Sequence, residues 1–156
     1  MKIFIHGLES SSQGTKGTFF RSRYPDMLTP DFTGPLEERL AHLERILSGR
    51  SGIRMVGSSF GGLMGALFAL QHEPRVERLV LLAPAIHLLP EIQHPEKELK
   101  VPAHIFHGTE DRVIPLEGVR SVAERFFRNL DFHTVQDDHY LHETFSSIDW
   151  DRYLLE

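Results

Sequence analysis

Five short apolar runs alternate along this chain with stretches of helical period, and no other feature restricts the fold as tightly. The runs are Lys2 to Ile5, Ile53 to Val56, Val76 to Ala83, Ala103 to His107 and Phe132 to Val135. Strands separated by helices pair in parallel, because a parallel connection needs a crossover of a dozen or more residues. The unbroken run Leu79-Val80-Leu81-Leu82 fits a strand covered on both faces. Between the runs, Leu36, Leu40, Leu43 and Leu47 recur at three- and four-residue steps, as do Val119, Val122, Ala123, Phe126 and Phe127. Both segments are expected to be amphipathic helices. Phe60 to Leu70 is apolar nearly all round and holds Gly61, Gly62 and Gly65, so it is expected as a buried helix pressed on the sheet. With 156 residues and no internal repeat or linker, residues 1–156 are expected to form one α/β domain.

Composition narrows the function classes. A formal net charge of −5 disfavours a phosphate-tracking surface, so nucleic acid is not an expected partner. The absence of cysteine excludes disulfides, thiolate metal sites and a cysteine nucleophile. The apolar stretch Ile3-Phe4-Ile5 ends at Gly7, too short for a signal h-region or a membrane span, and the expectation is a cytoplasmic protein with no membrane partner. Oligomeric state leaves no mark.

The chemistry concentrates in four places. Gly57-Ser58-Ser59-Phe60-Gly61 matches G-x-S-x-G, directly after one expected strand and before the buried helix. That spacing suits a sharp strand-to-helix turn which exposes a serine, Ser59, as a nucleophile beside unpaired helix N–H groups. A serine-rich turn closing a βα unit is the plainer alternative. His6-Gly7 follows the first strand, where a loop N–H can help hold an oxyanion; the two expected donors are the N–H groups of Leu8 and Phe60. Asp111 follows the strand Ala103 to Phe106 and is the expected orienting acid, with Glu110 as its competitor. Past the last strand, His139 is the expected general base. His142, three residues on and placed where a terminal helix is expected, competes with it. Ten histidines raise the question of a metal, but there is no H-E-x-x-H and His104 and His107 point to opposite faces of a strand, so no metal site is expected. Lys16, Arg21 and Arg23 read as a solvated basic face.

On these residues the chain resembles the α/β-hydrolase superfamily, and within it the small YqiA-like bacterial esterases. The resemblance rests on His6-Gly7-Leu8-Glu9-Ser10-Ser11 with Lys16, on Gly57 to Gly62, on Ala83-Pro84-Ala85-Ile86, and on Asp138-His139. It implies a serine nucleophile, an acid after the penultimate strand and a histidine base following a carboxylate, which fall on Ser59, Asp111 and His139. The chain order serine, acid, histidine is the one these hydrolases use. The resemblance further implies hydrolysis of short acyl esters on a mostly parallel sheet of about six strands. Helices would cover both of its faces, Met27 to Phe32 would be a weak second strand, and there would be no cap domain.

The mechanism expected is acyl transfer through an acyl-serine, which calls for no cofactor. Pro84 to Lys100 is the expected lid, with Ile86, Leu88 and Leu89 lining an acyl cleft beside His6 and Gly7. A thioesterase or peptidase would use the same residues. A non-catalytic binding protein on the same scaffold is a different class, and a flavodoxin-like nucleotide binder lacks both G-x-G-x-x-G and a P-loop lysine.

Overall fold

Each strand of the central sheet sends alternate side chains to opposite faces, and both sets are apolar, so the sheet must be covered twice. A computed structural model describes residues 1–93 and 98–156. Its elements run β1 (Lys2–Ile5), α1 (Thr15–Arg23), α2 (Leu36–Leu47), β2 (Ile53–Ser58), α3 (Phe60–His72), β3 (Val76–Leu82), α4 (Leu89–Ile92), β4 (Ala103–Gly108), α5 (Leu116–Phe126), β5 (Leu130–Val135) and α6 (Trp150–Leu154). The five strands lie in the order β1-β2-β3-β4-β5, all parallel.

One face carries Ile3, Ile5, Met55, Leu79, Leu81 and Ile105, packed against the buried sides of α2, α3 and α5. The other carries Phe4, Val56, Val80, Leu82 and Phe106, covered by residues of α1 and α6 and rich in aromatic rings. Phe20 of α1 is fully buried there, 4.8 Å from Trp150 and 5.0 Å from Phe4 between ring centroids. α1 has no apolar stripe of its own and goes unannounced in the sequence. Tertiary contacts hold it: Tyr24 Oη donates to Asp151 Oδ1 at 2.5 Å and Arg23 pairs with Asp151 at 2.7 Å. Burial, with Asp151 as acceptor, pushes the Tyr24 pKa up to about 12.

The expected sixth strand shrinks to one residue. Leu28 makes a single parallel bridge to Ile3, with Phe4 N–H donating to Leu28 O and Leu28 N–H to Lys2 O. Pro25 and Pro30 stand on either side and have no N–H to extend the ladder. The stretch from Pro84 forms a 3₁₀ turn at Ile86–Leu88 and then α4, and Leu99 near its end makes a parallel bridge to Phe127. Residues 94–97, part of the expected lid, lie outside the described residues. Among the described residues, no helix is long and apolar enough to cross a membrane.

Candidate active site

Serine is a favoured helix N-cap, yet Ser59 caps α3 without using its side chain. Its backbone sits at φ 54°, ψ −115°, a sparsely populated region for a residue with a Cβ. The turn is held by Ser59 N–H to Leu82 O at 2.9 Å and by Ala85 N–H to Ser59 O at 2.9 Å. It is also too tight for side chains around it. A Cβ on Gly57 would lie 2.5 Å from Gly61 O, and one on Gly61 would run into the carbonyls of Ile5 and His6. The G-x-S-x-G spacing is thus steric: the strand, the helix and β1 touch backbone to backbone.

The hydroxyl freed from capping meets a histidine. His139 Nε2 lies 3.2 Å from Ser59 Oγ, and His139 Nδ1–H donates to Asp111 Oδ2 at 2.7 Å. The Asp111 side chain is fully buried, and its other oxygen accepts from the N–H groups of Val113 and Ile114, both at 2.8 Å. Glu110 is exposed and takes no part. His142, the competing histidine, sits in a turn before α6 and points away; its Nδ1 pairs with Asp138 Oδ2 at 2.5 Å. Asp138 therefore serves His142 and its own loop, not His139.

The loop bearing His139 is fixed from several sides. Asp137, buried, accepts from the N–H groups of Asp138, Glu143 and Thr144 at 2.7–3.0 Å. Burial opposes its ionisation, but the hydrogen bonds from Thr144, Asp138 and Glu143 outweigh it and hold the carboxyl below the ordinary range. Glu110 N–H donates to Asp137 O at 3.0 Å, which ties the loop of the acid to the loop of the histidine. Lys16 Nζ donates to the Tyr140 carbonyl at 2.7 Å and lies 5.4 Å from the Phe145 ring centroid. Burial lowers the Lys16 pKa against the pull of Asp138 and Asp137. Lys16 is thus a clamp on the loop. Arg21 and Arg23, grouped with it in the sequence, are bound to Ser12 O and Asp151.

The segment after β1 lies against Ser59: a Cβ on Gly7 would be 3.4 Å from Ser59 Cβ. Among the described residues, neither the Leu8 nor the Phe60 backbone N–H has an acceptor. Arg39, which the sequence reading passed over, links the two positions. Buried on α2, it donates from Nε to Gly34 O at 2.7 Å and from Nη2 to Leu8 O at 3.4 Å, with its guanidinium 5.5 Å from the Phe60 ring centroid. His6 is buried with both ring nitrogens engaged, Nε2 accepting from Phe32 N–H at 2.9 Å and Nδ1–H donating to Gly7 O at 2.7 Å. It shapes the loop and has no free edge for a ligand. His107 forms a dry wall beside the acid: Nδ1–H donates to Gly108 O, and Nε2 stands 3.8 Å from Asp111 Oδ2. Burial lowers its pKa, which favours the neutral ring.

Two of the residues expected to line a cleft do not. Ile86 and Leu89 have no accessible surface and belong to the core on the α5 side, because the short helices after β3 turn their apolar edge inward. Leu88 is half-buried and keeps some surface.

The alpha/beta hydrolase fold family matches residues 10–100 of the chain. No curated protein matches it in sequence. Among solved structures it is similar to Est1E from Butyrivibrio proteoclasticus, described with ferulic acid bound, at 18% identity and TM-score 0.73 over 91% of this chain and 82% of that one. It is also similar to alpha/beta hydrolase domain-containing protein 10 from mouse, at 17% identity and TM-score 0.74 over 99% and 85% of the two chains. A Xanthomonas campestris protein of the alpha/beta hydrolase superfamily is 27% identical, with TM-score 0.71 over 94% and 91%. Matched by that family over more than half its length and folded like these structures, the chain belongs to the alpha/beta hydrolase fold family.

Proposed function

We propose that this protein is a serine hydrolase that cleaves small or short-chain acyl esters through an acyl-serine intermediate. The observation that carries the reading is the hydrogen-bonded series Asp111–His139–Ser59 on a strained, uncapped serine. Asp111, fixed by two backbone N–H groups, holds His139 with its proton on Nδ1 and leaves Nε2 to take the Ser59 proton. The 3.2 Å separation is at the long end of a hydrogen bond and tightens as substrate closes the site. Ser59 Oγ then attacks the acyl carbonyl, and the developing oxyanion is held by the N–H groups of Leu8 and Phe60, helped by the positive end of α3. His139 gives its proton to the leaving alcohol, and water attacks the acyl-enzyme with the same histidine as base. Arg39 and Lys16 position the two loops.

A thioester would react by the same steps and is the second reading. Ferulic acid, bound in the similar Est1E, suggests adding an aromatic acyl ester to the substrate series. The test is labelling with a fluorophosphonate probe, followed by hydrolysis of p-nitrophenyl esters of increasing acyl length and of the matching thioesters. Labelling and turnover should be present in wild type and His142→Ala, and absent in Ser59→Ala and His139→Ala. Folded wild type that neither labels nor turns over any of these substrates would favour a binding protein on the same scaffold.

A further inference from the structure

Among the described residues, one group of side chains outside the candidate active site brings metal-binding atoms together. His104 on β4 stands opposite Asp131 on β5, and His133 follows Asp131 on the same face of that edge strand. One ligand atom from each residue lies within 4.8 Å of the other two. Asp131 Oδ2 is 3.4 Å from His104 Nδ1 and 3.1 Å from His133 Nε2. Those spacings match the edge of a tetrahedron with bonds of 2.0–2.1 Å, which is about 3.3–3.4 Å.

We propose that His104, Asp131 and His133 bind a divalent transition-metal ion of the zinc class. Two imidazoles and one carboxylate suit zinc, whereas calcium and magnesium take oxygen ligands throughout. His133 Nε2 is buried without a hydrogen-bond partner, its contact with Asp131 lacking the geometry of one. An orphaned buried nitrogen is uncommon, and a metal would use its lone pair. Both rings are already oriented. His133 stacks on Phe106 at 4.3 Å and 8° between planes, and His104 rests against Tyr153 at 4.7 Å. The Arg78 guanidinium donates to the carbonyls of Arg152 and Tyr153.

The cluster lies toward the starts of β4 and β5, away from the strand ends where Ser59 and His139 meet. Its function would be to cross-link the edge strand β5 to β4, independently of hydrolysis. Asp131 is half exposed, which leaves an entry path and a position for water.

The test is calorimetric titration of chelator-treated full-length protein with zinc chloride. Wild type should bind one equivalent. His133→Ala and the near-isosteric Asp131→Asn should bind more than about tenfold more weakly, since even outer-shell partners of a metal ligand cost that much. His139→Ala and His142→Ala should bind as wild type does, and the ring nitrogen resonances of His104 and His133 should move on adding zinc. Absence of one-to-one binding, unchanged affinity in Asp131→Asn and His133→Ala, or loss of binding in His139→Ala would each overturn the proposal.

Discussion

The two ends of the sheet handle the same backbone problem in opposite ways. Where the chain leads into the amino end of β2, it enters the left-handed region at Gly49 and Gly52, where no Cβ resists it. Past the carboxyl ends of the strands it does so at Ser59, Ala83 and Leu141, which all carry one. Each such residue costs of order 1–3 kcal/mol and persists only where surrounding structure dictates it. Ser59 and Leu141 flank the proposed chemistry, the first as nucleophile and the second two residues past His139 in the loop that Asp137 and Lys16 hold down. Ala83 begins the Ala83-Pro84-Ala85 turn that bonds back to Ser59. Strain is thus spent where side chains must be aimed and avoided where the chain only has to turn.

The sharpest way to break this contrast is Ser59→Gly. It should abolish turnover, a loss of as much as about 10⁶-fold by comparison with other serine nucleophiles, while raising stability by roughly 1 kcal/mol as the strain at φ 54° is relieved. Urea unfolding alongside ester hydrolysis reads both, and a destabilised variant would contradict the strain argument. The opposite pattern is expected from Phe20→Ala in the aromatic core, where removing a fully buried ring should cost about 3–5 kcal/mol. Turnover per folded molecule should be unchanged. A selective loss of activity would mean that α1 does more than cover the sheet and present Lys16.

A smaller effect sharpens the picture at the loop itself. Asp137→Asn should cost roughly 1–3 kcal/mol at neutral pH, because the neutral amide is a weaker acceptor for the three backbone N–H groups. The Asp137 carboxyl titrates lower in the folded protein than in the unfolded chain. Its stabilisation is therefore complete above the ordinary aspartate pKa of about 3.9 and is lost as pH falls through the lower, folded value. The difference between wild type and variant should shrink below about pH 4 and stay constant above it. A difference that is flat down to strong acid would show that charge is not what holds the loop.

Much of the architecture was legible locally. Strand identity followed from short apolar runs, and α2, α3 and α5 from their periodicity or glycine content, because backbone preference and burial pattern are properties of neighbouring residues. The G-x-S-x-G turn was legible for the same reason: its glycines answer to contacts dictated by the turn. α1 was not, since Thr15 to Arg23 has no stripe and is held by Asp151 and the aromatic core far along the chain. The weak second strand implied by the resemblance is reduced to the Leu28 bridge, because Pro25 and Pro30 beside it have no N–H to extend the ladder. Ile86 and Leu89 looked available for a ligand and are core, since burial depends on what packs across the sheet.

The sequence by itself determined the parallel α/β order, the strained turn at Ser59 and the succession of serine, acid and histidine along the chain, all short-range patterns. Tertiary structure alone decided that His139 and not His142 faces Ser59, that Arg39 spans Leu8 and Phe60, and that His104 meets Asp131 and His133 across two strands. Those outcomes depend on strand register and loop closure, which bring together side chains from 21 to 80 residues apart, and no window of neighbouring residues encodes such a distance.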